Sequence, residues 1–254
     1  MSTATSAPLA GHTVLVTGGA RRVGAAIVRS LHECGAHVAI HCHHSVKEAH
    51  ALAGELNALR AASAAVFTAD LLDIEQLPAL ASAVLERFGR LDVLVNNAST
   101  FYPTPLGTIQ PAQWADLMGS NLKAPLFLAQ AAAPALRAAR GLLINIADIH
   151  GLRPLRDYAV YSTAKAALIH LTRALARELA PEVRVNGIAP GPVLWPEDNA
   201  PLAEAQKQEI IERTLLKRAG TPEDIASTAR FFAIDAPYIT GQTIAVDGGR
   251  STGW

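Results

Sequence analysis

Cysteine is scarce in this chain. Cys34 and Cys42 are the two present in 254 residues, and they form no C-x-x-C pair. That excludes a disulfide framework and a paired-thiol redox motif, and the expected setting is reducing and cytoplasmic. An excess of either charge is also missing, with 22 Lys and Arg against 22 Asp and Glu. The balance leaves no basic footprint for nucleic acid or an anionic membrane. No apolar run reaches the length of a bilayer span. Residues 1–10 lack the basic start and apolar stretch of a signal peptide and read as a short frayed tail. The cluster His41, Cys42, His43 and His44 has no second group of ligands elsewhere, so no metal is expected. Repeats, low-complexity linkers and breaks in composition are absent as well, which leaves one domain over 11–254.

What is present is an alternation. Short β-branched runs at 13–17, 37–41, 65–68, 91–95, 142–147, 183–186 and 243–246 read as strands. Ala-rich amphipathic runs at about 23–33, 47–59, 74–88 and 112–137, and one carrying Tyr161 to about 179, read as helices. The strands are apolar at consecutive positions, as strands covered on both faces are. The expected architecture is α/β, a doubly wound parallel sheet of Rossmann type with helices on both faces. The longest irregular stretch, 190–201, follows a strand at its C-terminal end, where such sheets bind ligands, and is expected to be a substrate loop.

Three constellations carry chemistry. The run 17–24 (TGGARRVG) follows the first strand and opens the first helix. Glycines there admit a pyrophosphate, and the helix N-terminus offers it unpaired N–H groups. Gly18, Arg21, Arg22, Val23 and Gly24 are the expected contacts. An acid usually ends the second strand where NAD is held by its ribose hydroxyls. Here that strand runs into His43, His44 and Ser45, which with Arg21 and Arg22 suit a 2′-phosphate, so NADP(H) is the expected cofactor. The same histidines would also serve as ordinary surface residues at a strand–helix junction. Asp70 and Leu71 follow the third strand, and Asn97, Ala98 and Ser99 follow the fourth. They would line the adenine, the ribose and the nicotinamide, or merely form turns and caps.

The third constellation is Asp148, Tyr161 and Lys165. Tyr and Lys four residues apart share a helix face, and an ammonium beside a phenol lowers its pKa. Tyr161 is thus a candidate proton donor, and Asp148, thirteen residues earlier, a second acid. A solvated helix face and a strand-end cap account for the same residues without chemistry.

Taken together, these motifs resemble the short-chain dehydrogenase/reductase family over essentially the whole chain. Thr17-Gly18, Gly24, Asn96, Asn97, Ala98, Asn121, Tyr161, Lys165, Pro190 and Gly191 match it in order. The resemblance implies NAD(P)-dependent hydride transfer. It implies that Asn121 supports a water-linked proton path to Lys165, that Lys165 also holds the nicotinamide ribose, and that Pro190 and Gly191 border the cofactor. It also implies a homotetramer. Two departures narrow the match: Arg22 stands where the family usually has Gly, and Asp148 where it usually has Ser. Both resemble the pteridine reductases. That resemblance implies a pterin or folate-type substrate held by Arg22, Ser99, Phe101, Asp148, Tyr161, Leu194 and Trp195. Phe101 would stack on the flat ring, although a core position accounts for it too. The competing readings are a dihydromonapterin or dihydrofolate reductase with the same Arg and Asp, a 3-oxoacyl-type carbonyl reductase, and a non-catalytic NADP(H) sensor.

Overall fold

A computed structural model describes residues 7–195 and 203–252. Seven strands form one parallel sheet: β1 (Thr13–Val16), β2 (His37–Cys42), β3 (Ala64–Thr68), β4 (Val93–Asn96), β5 (Leu142–Ile146), β6 (Arg184–Pro190) and β7 (Thr243–Val246). Their order across the sheet is β3-β2-β1-β4-β5-β6-β7. The order reverses between β1 and β4, and a ligand crevice opens at the carboxyl ends of strands at such a reversal. Val14, Leu15 and Val16 pair with Val93, Leu94 and Val95 across that seam. β1, β4 and β5 are buried at every position, which is why they read as largely apolar runs, with Thr13, Asn96 and Asn145 as their buried polar members.

Helices α1 (Arg22–Glu33), α2 (Val46–Leu59) and α8 (Pro222–Ile234) cover one face, packing Ile27, Leu31, Leu56 and Phe232 over the sheet. The other face carries α3 (Gln76–Phe88), α5 (Ala124–Ala139) and α6 (Ala159–Leu179), with Leu77, Leu128, Leu136 and Leu175. Helix α4 (Pro111–Met118) leads into α5, and α7 (Glu204–Glu212) follows β6. Fold class and layering are those expected from the alternation.

The differences are local. The helix expected over 112–137 is divided: between α4 and α5 the chain makes a π-turn at Gly119–Lys123. Such turns insert one extra residue per turn and recur at functional sites; this one carries Asn121, which is fully buried. β6 extends four residues beyond the expected end at 186, through Gly187 to Pro190. Helices α7 and α8 were not expected. α7 buries none of its residues, so it has no apolar stripe to read. α8 does announce itself, with Pro222 in its first turn and a capping box from Thr221 to Asp224. Residues 7–10 are not frayed, and residues 1–6 of the expected tail lie outside the described residues. Leu9 is buried, and its N–H donates to the Cys34 carbonyl, so an apolar contact ties residues 7–10 to the end of α1. Residues 196–201 of the expected substrate loop lie outside the described residues. Among the described residues, no helix is long and apolar enough to cross a membrane.

Candidate active site

The turn after β1 is drawn tight from the β4 side. Thr17 Oγ1 accepts from the backbone N–H groups of Asn97 (2.9 Å) and Ala98 (3.0 Å). Asn97 Nδ2 donates to the carbonyls of Thr17 (2.8 Å) and Gly18 (3.2 Å). Asn97 thereby acts as a clamp on the glycine turn, a role the sequence did not assign to it. A Cβ at Gly24 would stand 2.1 Å from the Gly18 carbonyl oxygen, so only glycine admits this closure. Gly18 itself has φ +59°, in the left-handed region.

His41, on the neighbouring strand, holds the same turn. Its Nδ1 accepts from the Gly18 N–H (3.2 Å), and its Nε2 lies 3.1 Å from the Ala69 carbonyl. That pairing requires the neutral tautomer protonated at Nε2. Burial agrees, lowering the imidazole pKa to about 4. The four-residue cluster therefore divides: His41 and Cys42 point into the core, whereas His43 and His44 are exposed.

Around this turn lies a cavity of about 630 Å³, lined by Gly18, Arg21, Gly24, His43, His44, Ser45, Asp70, Leu71 and Ala98. A second, of about 480 Å³, is lined by Phe101, Asp148, Tyr161, Lys165, Pro190, Gly191, Leu194 and Trp195. Arg22, Val23, Asn97 and Ser99 line both. The two cavities adjoin along the strand ends, so the residues expected for cofactor and for substrate border one cleft. Arg22 joins them at a backbone φ of +52°, a conformation costly for any side chain with a Cβ. Its Nη2 donates to the Trp195 carbonyl at 3.1 Å.

In the second cavity Tyr161 is 4% exposed and Lys165 2%. The Tyr161 hydroxyl donates to Asp148 Oδ2 at 2.8 Å. Asp148 Oδ1 accepts the His150 N–H at 2.7 Å, so the same carboxylate caps the short 3-10 turn Ile149–Gly151. Lys165 Nζ donates to the Ile146 carbonyl at 2.9 Å and lies 5.7 Å from the centre of the Tyr161 ring. This corrects the expectation of a phenol acidified by its lysine. Burial first, then the Asp148 charge and hydrogen bond, hold the Tyr161 pKa well above the usual phenol range, against a smaller opposing effect from Ser99. Burial lowers Lys165 to about 8, with Asp148 partly restoring it.

Asn121 is tied to this group through Ser99, whose hydroxyl donates to Asn121 Oδ1 at 2.6 Å. The Asn121 amide donates to the carbonyls of Thr100 and Leu117, each at 3.0 Å. Its hydrogen bonds thus run to Ser99, Thr100 and Leu117 rather than directly to Lys165.

Phe101 is neither a core residue nor a free lid. It is 41% exposed, stacks on Tyr158 with ring centres 4.6 Å apart and meets Tyr161 edge-on at 4.8 Å. A parallel bridge between Thr104 and Tyr158 fixes this arrangement, with the Thr104 N–H donating to the Asp157 carbonyl at 2.6 Å. Sequence reasoning missed Tyr158. The available signal was an aromatic residue three positions before Tyr161, at the mouth of the same helix.

The cradle fits a dinucleotide. Two positions reject any Cβ or favour glycine's φ, the first turn of α1 faces the cavity, and the end of β2 carries no acid. A family model described as enoyl-(acyl carrier protein) reductase matches residues 18–251. The chain is 37% identical to pteridine reductase 1 of Leishmania tarentolae, over 99% of each protein. It is equally, 37%, identical to the 3-oxoacyl-[acyl-carrier-protein] reductase FabG of Staphylococcus aureus, over 93% of this chain and 97% of that one. An uncharacterized oxidoreductase of Mycobacterium tuberculosis is also 37% identical, over 92% and 90%. With this fold, cleft and coverage, the chain belongs to the short-chain dehydrogenase/reductase family, whose reductases use NAD(P)H.

Proposed function

We propose that this protein is an NADPH-dependent pteridine reductase, reducing a C=N bond of a pterin of the biopterin, dihydrobiopterin or dihydrofolate type. The observation that carries the reading is the hydrogen bond from Tyr161 to Asp148 at 2.8 Å. A serine at that position would donate to a carbonyl oxygen. A carboxylate repels the negative charge that develops on such an oxygen, but it accepts from the N–H groups of a 2-amino-4-oxo ring. Overall identity does not separate pteridine from 3-oxoacyl reductases here; Asp148 supports the pteridine reading.

The glycine turn, Arg21, His43, His44 and Ser45 would hold the cofactor phosphates, with Asp70 and Leu71 at the adenine and Lys165 at the nicotinamide ribose. Bound there, the reduced nicotinamide supplies hydride. Phe101 offers a ring for the pterin to stack on, and Arg22, bordering both cavities, reaches its oxygen. Ser99, Leu194 and Trp195 complete the substrate side. Tyr161, held neutral by its burial, gives its proton to the ring nitrogen beside the reduced carbon. Asp148 Oδ2 accepts from the Tyr161 hydroxyl at 2.8 Å and holds it at the cavity that both residues line. Asn121 orients Ser99 against the same hydroxyl.

The test is NADPH oxidation with dihydrobiopterin, dihydrofolate, dihydromonapterin and a 3-oxoacyl thioester, each at several pH values. Pterins should be preferred by tenfold or more in kcat/KM, about 1.4 kcal/mol. Preference for the thioester would instead make the chain a carbonyl reductase.

A further inference from the structure

Beyond the choice of NADPH, the end of β2 has a feature that a permanently charged residue would not give. His43 and His44 are adjacent in sequence, yet their rings stack with centres 3.7 Å apart and 29° between planes. Both line the cavity that holds the glycine turn. His43 Nδ1 lies 3.9 Å from Asp70 Oδ1. We propose that this stacked pair takes up a proton as a 2′-phosphate binds, so that preference for NADPH over NADH is set by pH. The proposal rests on the NADP(H) reading above and is independent of the substrate.

The argument is electrostatic. Histidine is the side chain whose ordinary titration falls between pH 5 and 8. Two imidazoles in contact cannot both be charged without strong mutual repulsion, so the second proton is opposed by the first. A phosphate monoester carries between one and two negative charges near neutrality, with a second pKa of about 6. Set beside the pair, it favours the imidazolium and draws in a proton that the free protein does not hold. The surrounding groups do not remove this effect. His41, two residues back on β2, is buried and neutral. Asp70, after β3, places its carboxylate 3.9 Å from His43 Nδ1. Arg21 and Arg22, on the glycine turn, add a share of phosphate binding that pH does not change. Lys47 and Glu48, in the first turn of α2, carry opposite charges.

Titration calorimetry of the full-length protein with NADPH and NADH, in buffers of different ionisation enthalpy at pH 7.5, reads the proton directly. NADPH should bind with uptake of about 0.5–1 proton more than NADH. By linkage, the NADPH:NADH affinity ratio should then fall about three- to tenfold per pH unit above pH 7. His44→Arg should abolish the extra uptake and flatten the ratio with pH while preserving NADPH binding. His43→Gln combined with His44→Gln should weaken NADPH much more than NADH. Both histidines are exposed, so a melting curve should show these variants folded. A strong, pH-independent NADPH preference without extra proton uptake overturns this inference and leaves the cofactor assignment standing. Equal affinity for the two cofactors at every pH overturns both.

Discussion

The two oxygens of Asp148 are divided between two tasks: Oδ2 accepts the Tyr161 hydroxyl at 2.8 Å, and Oδ1 accepts the His150 N–H at 2.7 Å. One carboxylate therefore shapes the turn after β5 and faces the proposed proton donor. Substitutions that keep the cap but change the acid separate the two roles. Asp148→Asn retains an oxygen for His150 and cannot supply a proton. It should lower pterin reduction at least about tenfold, with NADPH affinity little changed. Asp148→Ser should do the same. If the serine variant reduced pterins as well as the parent, Asp148 would have no part in reading the substrate.

Tyr161→Phe removes the hydroxyl and leaves the ring that packs against Phe101. Turnover should fall on the order of a hundredfold, the usual range for losing a general acid. Fluorescence titration should show NADPH binding intact. Near-normal turnover would make Asp148 or water the donor.

Lys165 is lowered to about 8 by burial, and the Asp148 charge opposes that lowering. Its ammonium is present below that pH and lost above it. The profile of kcat/KM for NADPH should therefore decline on the alkaline side with a midpoint near 8, since that parameter reports the free enzyme. Removing the Asp148 charge disfavours the ammonium, so in Asp148→Asn the midpoint should move to lower pH. A midpoint that stays in place or rises would show that another group sets the limb.

Arg22 holds φ +52° where glycine would be unstrained. Arg22→Gly relieves roughly 1 kcal/mol of backbone strain and adds chain entropy to the unfolded state, which offsets part of it. The melting temperature should stay within about 4 °C of the parent or rise. Pterin KM should increase, because Arg22 borders both cavities. A large fall in melting temperature would make Arg22 a stabilising residue first.

Phe101→Ala should weaken pterin binding by about 0.5–1.5 kcal/mol for lost stacking. NADPH binding should change less, since Phe101 lies in the second cavity alone. Equal losses for both ligands, together with a lowered melting temperature, would point to its packing on Tyr158 as the dominant effect.

The parts of this site that lie on one element were legible from residue order. Tyr161 and Lys165 share a helix face by spacing alone, and the glycine turn was recognisable because it joins a strand to a helix. Asn97 was found among the cavity-lining residues, but its clamp on the glycine turn was not legible, because a strand-end asparagine does not reveal which carbonyls its amide will reach. Tyr158 was missed because its partners, Phe101 and Thr104, are some fifty residues away. The π-turn was invisible because an inserted residue barely disturbs helical periodicity. The apolar pattern and the turn chemistry determined the doubly wound sheet and the end of it at which the cleft lies, since both follow from local spacing and two-sided burial. Only the tertiary structure decided the electrostatics of the pocket. Burial and the carboxylate of Asp148, rather than the lysine one turn away, govern the Tyr161 phenol. A pKa depends on what surrounds a group in space, and chain order does not carry that information.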